Sequence, residues 1–115
     1  MKTITSEELA ARLDSGEAVR LIDVLSADHY RTVHLPGAEN IPLHELEQRA
    51  PGELERDERI VVYCSSETCT KSPRAAQLLE RQGYANVLHF RGGIAEWRRS
   101  GHELVRNQNG AKRAA

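Results

Sequence analysis

The chain has 115 residues, of which 39% are hydrophobic and 29% charged, and its formal net charge is −1. That length suits one domain with its own core, and the balanced charge speaks against a nucleic-acid-binding surface. No apolar run approaches the length of a membrane span.

The first residues, Met1-Lys2-Thr3-Ile4-Thr5-Ser6-Glu7-Glu8, lack the apolar core of a secretory leader. The expected location is therefore the cytoplasm, where cysteines are more often catalytic or redox-active than structural. Thr5 to Glu8 reads as a capping box that opens a helix with Leu9, Ala10 and Leu13 on one face. Gly16 is placed to end that helix. Val19 to Val24 is a strand whose mixed alternation suits a sheet covered on both sides. A short helix is expected from Ser26 to Thr32, with Tyr30 turned inward. His34-Leu35-Pro36-Gly37-Ala38 is a turn by composition, and Asn40-Ile41 the remnant of a short strand. A helical pattern then runs from Pro42 to Arg49, where Pro51-Gly52 should break it, and Glu53 to Arg59 reads as a solvated connector.

Ile60-Val61-Val62-Tyr63-Cys64 is a β-branched run of buried-strand character. The polar stretch Ser65-Ser66-Glu67-Thr68-Cys69-Thr70-Lys71 follows. Beyond it, Ser72 is a suitable N-cap, Pro73 suits the first helical position, and Ala75, Ala76, Leu78 and Leu79 supply an apolar face. A cysteine that ends a strand just before a helix N-terminus meets free N–H groups and the positive end of a helix dipole. Such surroundings favour thiolate. Locally, Cys64 reads either as a nucleophile or as small core filler. Gly83 stops the helix, Asn86 to Phe90 forms another strand, and Arg91-Gly92-Gly93 turns into a last helix carrying Ile94 and Trp97. The tail from 107 to 115 is small and polar and is expected to be disordered, leaving a domain over 1–106. Strands alternating with helices give an α/β fold with a mainly parallel sheet, whose ligands bind at the carboxyl ends of strands.

In order along the chain, Leu21-Ile22-Asp23-Val24, Tyr30, His34 to Pro42, Val61 to Cys64, Ala75-Ala76, Leu79, Gly83 to Val87 and Gly92 to Trp97 together resemble the single-domain rhodaneses, a sulfurtransferase family. The resemblance implies a five-stranded α/β fold, Cys64 as a persulfide-carrying nucleophile and residues 65–71 as an anion-binding cradle. It also implies thiosulfate or a similar sulfane-sulfur anion as donor, cyanide or a thiol, free or on a protein, as acceptor, and no metal or organic cofactor. The alternatives to transfer are a persulfide reductase using Cys64 with Cys69 and a non-catalytic domain that binds a partner and senses its sulfur state.

Three departures from the family pattern bear on chemistry. The family usually places its basic residue five positions after the cysteine, whereas Lys71 stands seven after Cys64, so the cradle is longer. Phosphatases and arsenate reductases of similar fold also have enlarged loops. They generally carry arginine there, whose fork suits a tetrahedral oxyanion better than a lysine point charge does, and Glu67 would repel a dianion. Second, the loop holds Cys69, either incidental or a resolving thiol within disulfide reach of Cys64. Two cysteines without a spaced histidine pair do not suggest zinc. Third, Leu25 and His29 replace the arginine and glutamate usual in the family, which reads as a lost scaffold ion pair. Asp23 reads as structural, His34 as a hydrogen-bonder of its turn, and Tyr63 and Trp97 as core. His29, His44, His89 and His102 follow no ligand spacing.

Overall fold

A computed structural model describes residues 1–106; the expected disordered tail, 107–115, lies outside the described residues. The elements are, in order, β1 (Lys2–Thr3), α1 (Ser6–Asp14), β2 (Val19–Asp23), α2 (Ala27–Thr32), β3 (Val33–His34) and β4 (Glu39–Asn40). They continue with α3 (Leu43–Glu53), β5 (Arg59–Tyr63), α4 (Lys71–Arg81), β6 (Asn86–Phe90), α5 (Gly93–Arg99) and β7 (Val105–Arg106).

The β-branched run of β5 lies at the middle of a five-stranded sheet of order β1-β6-β5-β2-β4, in which every pairing is parallel. Ile60, Val61, Val62 and Tyr63 are each at most 1% exposed, because both faces of a parallel sheet lie under helices. α3 packs on α4. α1 and α5 are tied by the Ser6 N–H donating to Glu96 Oε2 (2.7 Å) and by the Ser6 and Ser100 hydroxyls. Tyr63, Phe90 and Trp97 form an aromatic chain through the core. No helix among the described residues is long and apolar enough to cross a membrane.

Local chemistry explains most boundaries. The capping box is present: Thr5 Oγ1 accepts from the Glu8 N–H and Glu8 Oε1 accepts from the Thr5 N–H. Gly16 follows α1 with φ +79°, a conformation glycine adopts without penalty. Ser26 caps α2, accepting from the His29 N–H. Tyr30 is half-buried, donates to the Ala38 carbonyl and stacks on His34, whose Nδ1 lies 2.7 Å from the Tyr30 carbonyl.

Several expectations fail for identifiable reasons. Pro51 does not stop α3, which runs on to Glu53. A proline there leaves the carbonyl four residues back without its helical donor, and the Gln82 side chain donates to that carbonyl, Glu47 O, at 3.2 Å. The connector is not wholly solvated, because Leu54 is 2% exposed. β1 pairs with β6, and β3 with β7 in a separate antiparallel ribbon. These two-residue strands are too short for periodicity to announce them.

Candidate active site

β5 and β6 deliver two adjacent chain segments to the carboxyl edge of the sheet. From β5, Cys64 follows Tyr63 directly and is 1% exposed. The next residues form the loop to α4, with Glu67 and Thr68 exposed and Cys69 half-buried. From β6, the chain turns at Gly92-Gly93 into α5 and closes the back of the site. The Ile94 N–H donates to the Cys64 carbonyl (3.1 Å) and the Ala95 N–H to the Ser65 carbonyl (2.9 Å). Gly93 has φ +59°, and a Cβ there would collide with the Cys64 carbonyl oxygen. Both the conformation and the contact demand glycine.

The N-cap of α4 is Thr70, not Ser72, and Pro73 is the third helical residue rather than the first. Proline is still tolerated there, since first-turn N–H groups have no helical acceptor. Freed from capping, Ser72 is buried and turns its hydroxyl to Cys64, with Sγ and Oγ 3.1 Å apart. Its backbone N–H also reaches the Cys64 sulfur.

The expectation that this position lowers the Cys64 pKa is reversed. Burial pushes the Cys64 thiol up, and the neighbouring Cys69 thiol pushes it further, against the side-chain and backbone contacts of Ser72. Cys69 moves the other way. Burial would raise it, but its contacts with Cys64, the Lys71 N–H, and the backbone and side chain of Ser65 together bring it below the usual thiol value. The two thiols are thus pushed in opposite directions, Cys64 up and Cys69 down.

The remaining expected site residues are grouped less tightly. Lys71 is the exposed first residue of α4 and has no ion-pair partner among the described residues. It lines a cleft of about 260 Å³ with Val24, Ser26, Pro42, Leu43 and His44. Ser66 and Thr68 hydroxyls meet at 3.0 Å. In the loop, only the Cys69 N–H donates to a backbone carbonyl, that of Ser66, among the described residues. Asp23 is fully buried; its Oδ1 accepts from the Leu25 N–H, Oδ2 has no partner, and burial pushes its pKa up. Leu25 is buried and His29 exposed, so neither recreates an ion pair. Among the described residues no group of three ligating side chains could hold a metal ion.

One neighbour of the site lies outside the sequence reading. His89 is 5% exposed, and its Nε2 lies 2.7 Å from Ser72 Oγ. Its signal was the alternation of β6, which puts His89 on the same side as buried Val87, beside Val62 of the central strand. Ligand spacing could not reveal it.

A central strand, a cysteine at its carboxyl end, a loop and a helix N-terminus define an α/β protein with its candidate site at the sheet edge where such folds bind ligands. The chain belongs to the rhodanese family: the model of the rhodanese-like domain matches residues 5–100. It is similar to a sulfurtransferase of Allochromatium vinosum, with 36% identity over 102 residues, covering 89% of this chain and 92% of that one. A thiosulfate sulfurtransferase structure from Pseudomonas aeruginosa superposes with a TM-score of 0.85 at 34% identity, covering 95% of this chain but 21% of the other. The human single-domain sulfurtransferase TSTD1 superposes with a TM-score of 0.76 at 28% identity, covering 86% of this chain and 96% of that one. Other relatives are longer, and the chain spans 49% and 42% of two of them.

Proposed function

We propose that this protein is a sulfurtransferase that carries a sulfane sulfur as a persulfide on Cys64. The observation that carries this reading is the position of Cys64: at the end of the central strand, under the loop, with the Ser72 N–H and hydroxyl on its sulfur. In the first half-reaction the Cys64 thiolate attacks the outer sulfur of thiosulfate or a similar donor. A sulfur–sulfur bond forms as the donor's breaks, and sulfite leaves with the bonding pair. In the second, cyanide or a thiolate attacks the outer sulfur of the persulfide and Cys64 departs as thiolate, a double displacement. The Ser66, Glu67, Thr68 and Thr70 N–H groups, which have no backbone acceptor among the described residues, are available to the anion. Lys71 adds a positive charge at the adjoining cleft. Two free cysteines suit a reducing compartment such as the cytoplasm.

The mutual influence of the two thiols on each other's ionisation favours a second reading, in which Cys69 resolves the persulfide. Its sulfur attacks Cys64 Sγ, hydrosulfide leaves, and a Cys64–Cys69 disulfide remains for a cellular thiol to reduce. Thiocyanate production from thiosulfate and cyanide tests the primary reading. Cys64→Ser is expected to abolish it, because a hydroxyl supplies no such nucleophile, while Cys69→Ser retains it. Activity surviving in Cys64→Ser and vanishing in Cys69→Ser would overturn the assignment.

A further inference from the structure

Three buried side chains from three elements form one hydrogen-bonded chain: Cys64 after β5, Ser72 in the first turn of α4, and His89 in β6. Sγ to Oγ is 3.1 Å and Oγ to Nε2 is 2.7 Å. The three residues are 1%, 1% and 5% exposed, so water does not supply an alternative partner cheaply. A serine hydroxyl has one proton to give. It goes either to His89 or to Cys64, and the proton on the imidazole decides which.

We propose that His89 is a positioning residue for sulfur transfer, acting through Ser72: as the Nε2–H tautomer it donates to Ser72 Oγ and directs the hydroxyl proton onto Cys64 Sγ. This inference rests on Cys64 being the sulfur-carrying nucleophile. While Cys64 keeps its proton, its S–H and the Nε2–H both donate to Ser72 Oγ, and the hydroxyl proton has no acceptor in the chain. When Cys64 ionises, its S–H bond breaks, the proton passes to water, and Cys64 Sγ becomes an acceptor. The hydroxyl rotates onto it and His89 holds it there. The same contact serves twice, because Cys64 Sγ bears charge both when it attacks the donor and when the acceptor displaces it.

The alternative, His89 taking the proton through Ser72, requires an imidazolium. Burial, then the Arg91 charge, holds this imidazole neutral. A neutral donor fits those surroundings and a proton acceptor does not. The titratable groups bearing on the chain are Cys69 from the loop and Arg91 just past β6.

The test is the pH dependence of Cys64 alkylation by iodoacetamide, followed by peptide mass in a Cys69→Ser background to remove the coupled thiol. His89→Leu and Ser72→Ala are each expected to move the profile up by about one pH unit, about a tenfold loss of reactivity near neutrality. His89→Gln, which keeps a donor near the Nε2 position, restores most of it. Adding His89→Leu to Ser72→Ala changes nothing further. Unchanged profiles in folded His89→Leu, or a Gln variant that behaves like Leu, or additive shifts in the double variant, would overturn the inference. Should Leu at 89 not fold, Ser72→Ala and His89→Gln still decide it, since the predicted shift must appear in the first and not in the second. Thiosulfate loading of the unmutated protein separates the two claims. A His89-dependent profile without any loading strikes the persulfide assignment and supports the positioning; loading with a His89-independent profile does the reverse.

Discussion

Cys64 is held between two regions of opposite character. Behind it, the turn from β6 into α5 is clamped: Ile94 and Ala95 donate to the Cys64 and Ser65 carbonyls, and Gly93 leaves no room for a side chain. In front, residues 65–70 make a single backbone hydrogen bond among themselves, Cys69 N–H to Ser66 O. Under the proposed sulfur transfer Cys64, 1% exposed, must be uncovered before a donor reaches it. The contrast points to the front loop as the part that yields while the backing turn keeps its place.

The sharpest way to break this contrast is Gly93→Ala. It adds both a clash against backbone and a left-handed conformation that alanine disfavours, and we expect a loss of about 3 kcal/mol in stability. Urea unfolding measures it; a loss under about 0.5 kcal/mol, within the usual surface-substitution range, would mean that the turn is not clamped. Hydrogen exchange sharpens the same comparison. The amides of Ile94 and Ala95 should exchange about a hundredfold more slowly than those of Ser66, Glu67 and Thr68, since protection follows local opening. Equal rates would remove the distinction between front and back.

How legible each region is in sequence follows from what shapes it. Burial shapes the sheet, so the β-branched Ile60, Val61 and Val62 and the capping box at Thr5 announce their elements directly. Gly92-Gly93 is also readable as a turn, though the reason for Gly93, the Cys64 carbonyl, is contact across two strands. The front of the site depends on which groups hydrogen-bond whom. Ser72 looks like a helix cap, but its hydroxyl is committed to Cys64 and His89. Helix-end logic points to a low Cys64 pKa, but burial outweighs the dipole, and it is Cys69, with more donors and less covering, whose pKa is lowered. His89, 25 positions beyond Cys64, has no local pattern to betray it.

A smaller effect concerns acid. The folded-state pKa of His89 lies below its ordinary 6.5, so the unfolded chain binds its proton more readily than the folded one. Stability from this group is complete above that value and is lost as pH falls from it toward the lowered folded pKa. Thermal midpoints measured downward from pH 7 should decline through that window, and His89→Gln should flatten this part of the decline. An unaltered slope would show that His89 is not held neutral by its surroundings. Smallest of all is the stability effect of Lys71→Ala, expected within about 0.5 kcal/mol because the residue is exposed. Its kinetic effect is the informative one: weaker use of anionic donors, seen as a raised KM for thiosulfate. A sharp fall in midpoint with unchanged KM would make Lys71 a structural residue.

The most direct measurement is mass spectrometry of the intact protein and its peptides after thiosulfate treatment with no acceptor present. Cys64 as carrier predicts a gain of one sulfur on the Cys64 peptide in the parent and in Cys69→Ser, longer-lived in the latter if Cys69 resolves the persulfide, and none in Cys64→Ser. Sulfur found on Cys69, or retained in Cys64→Ser, would contradict the account.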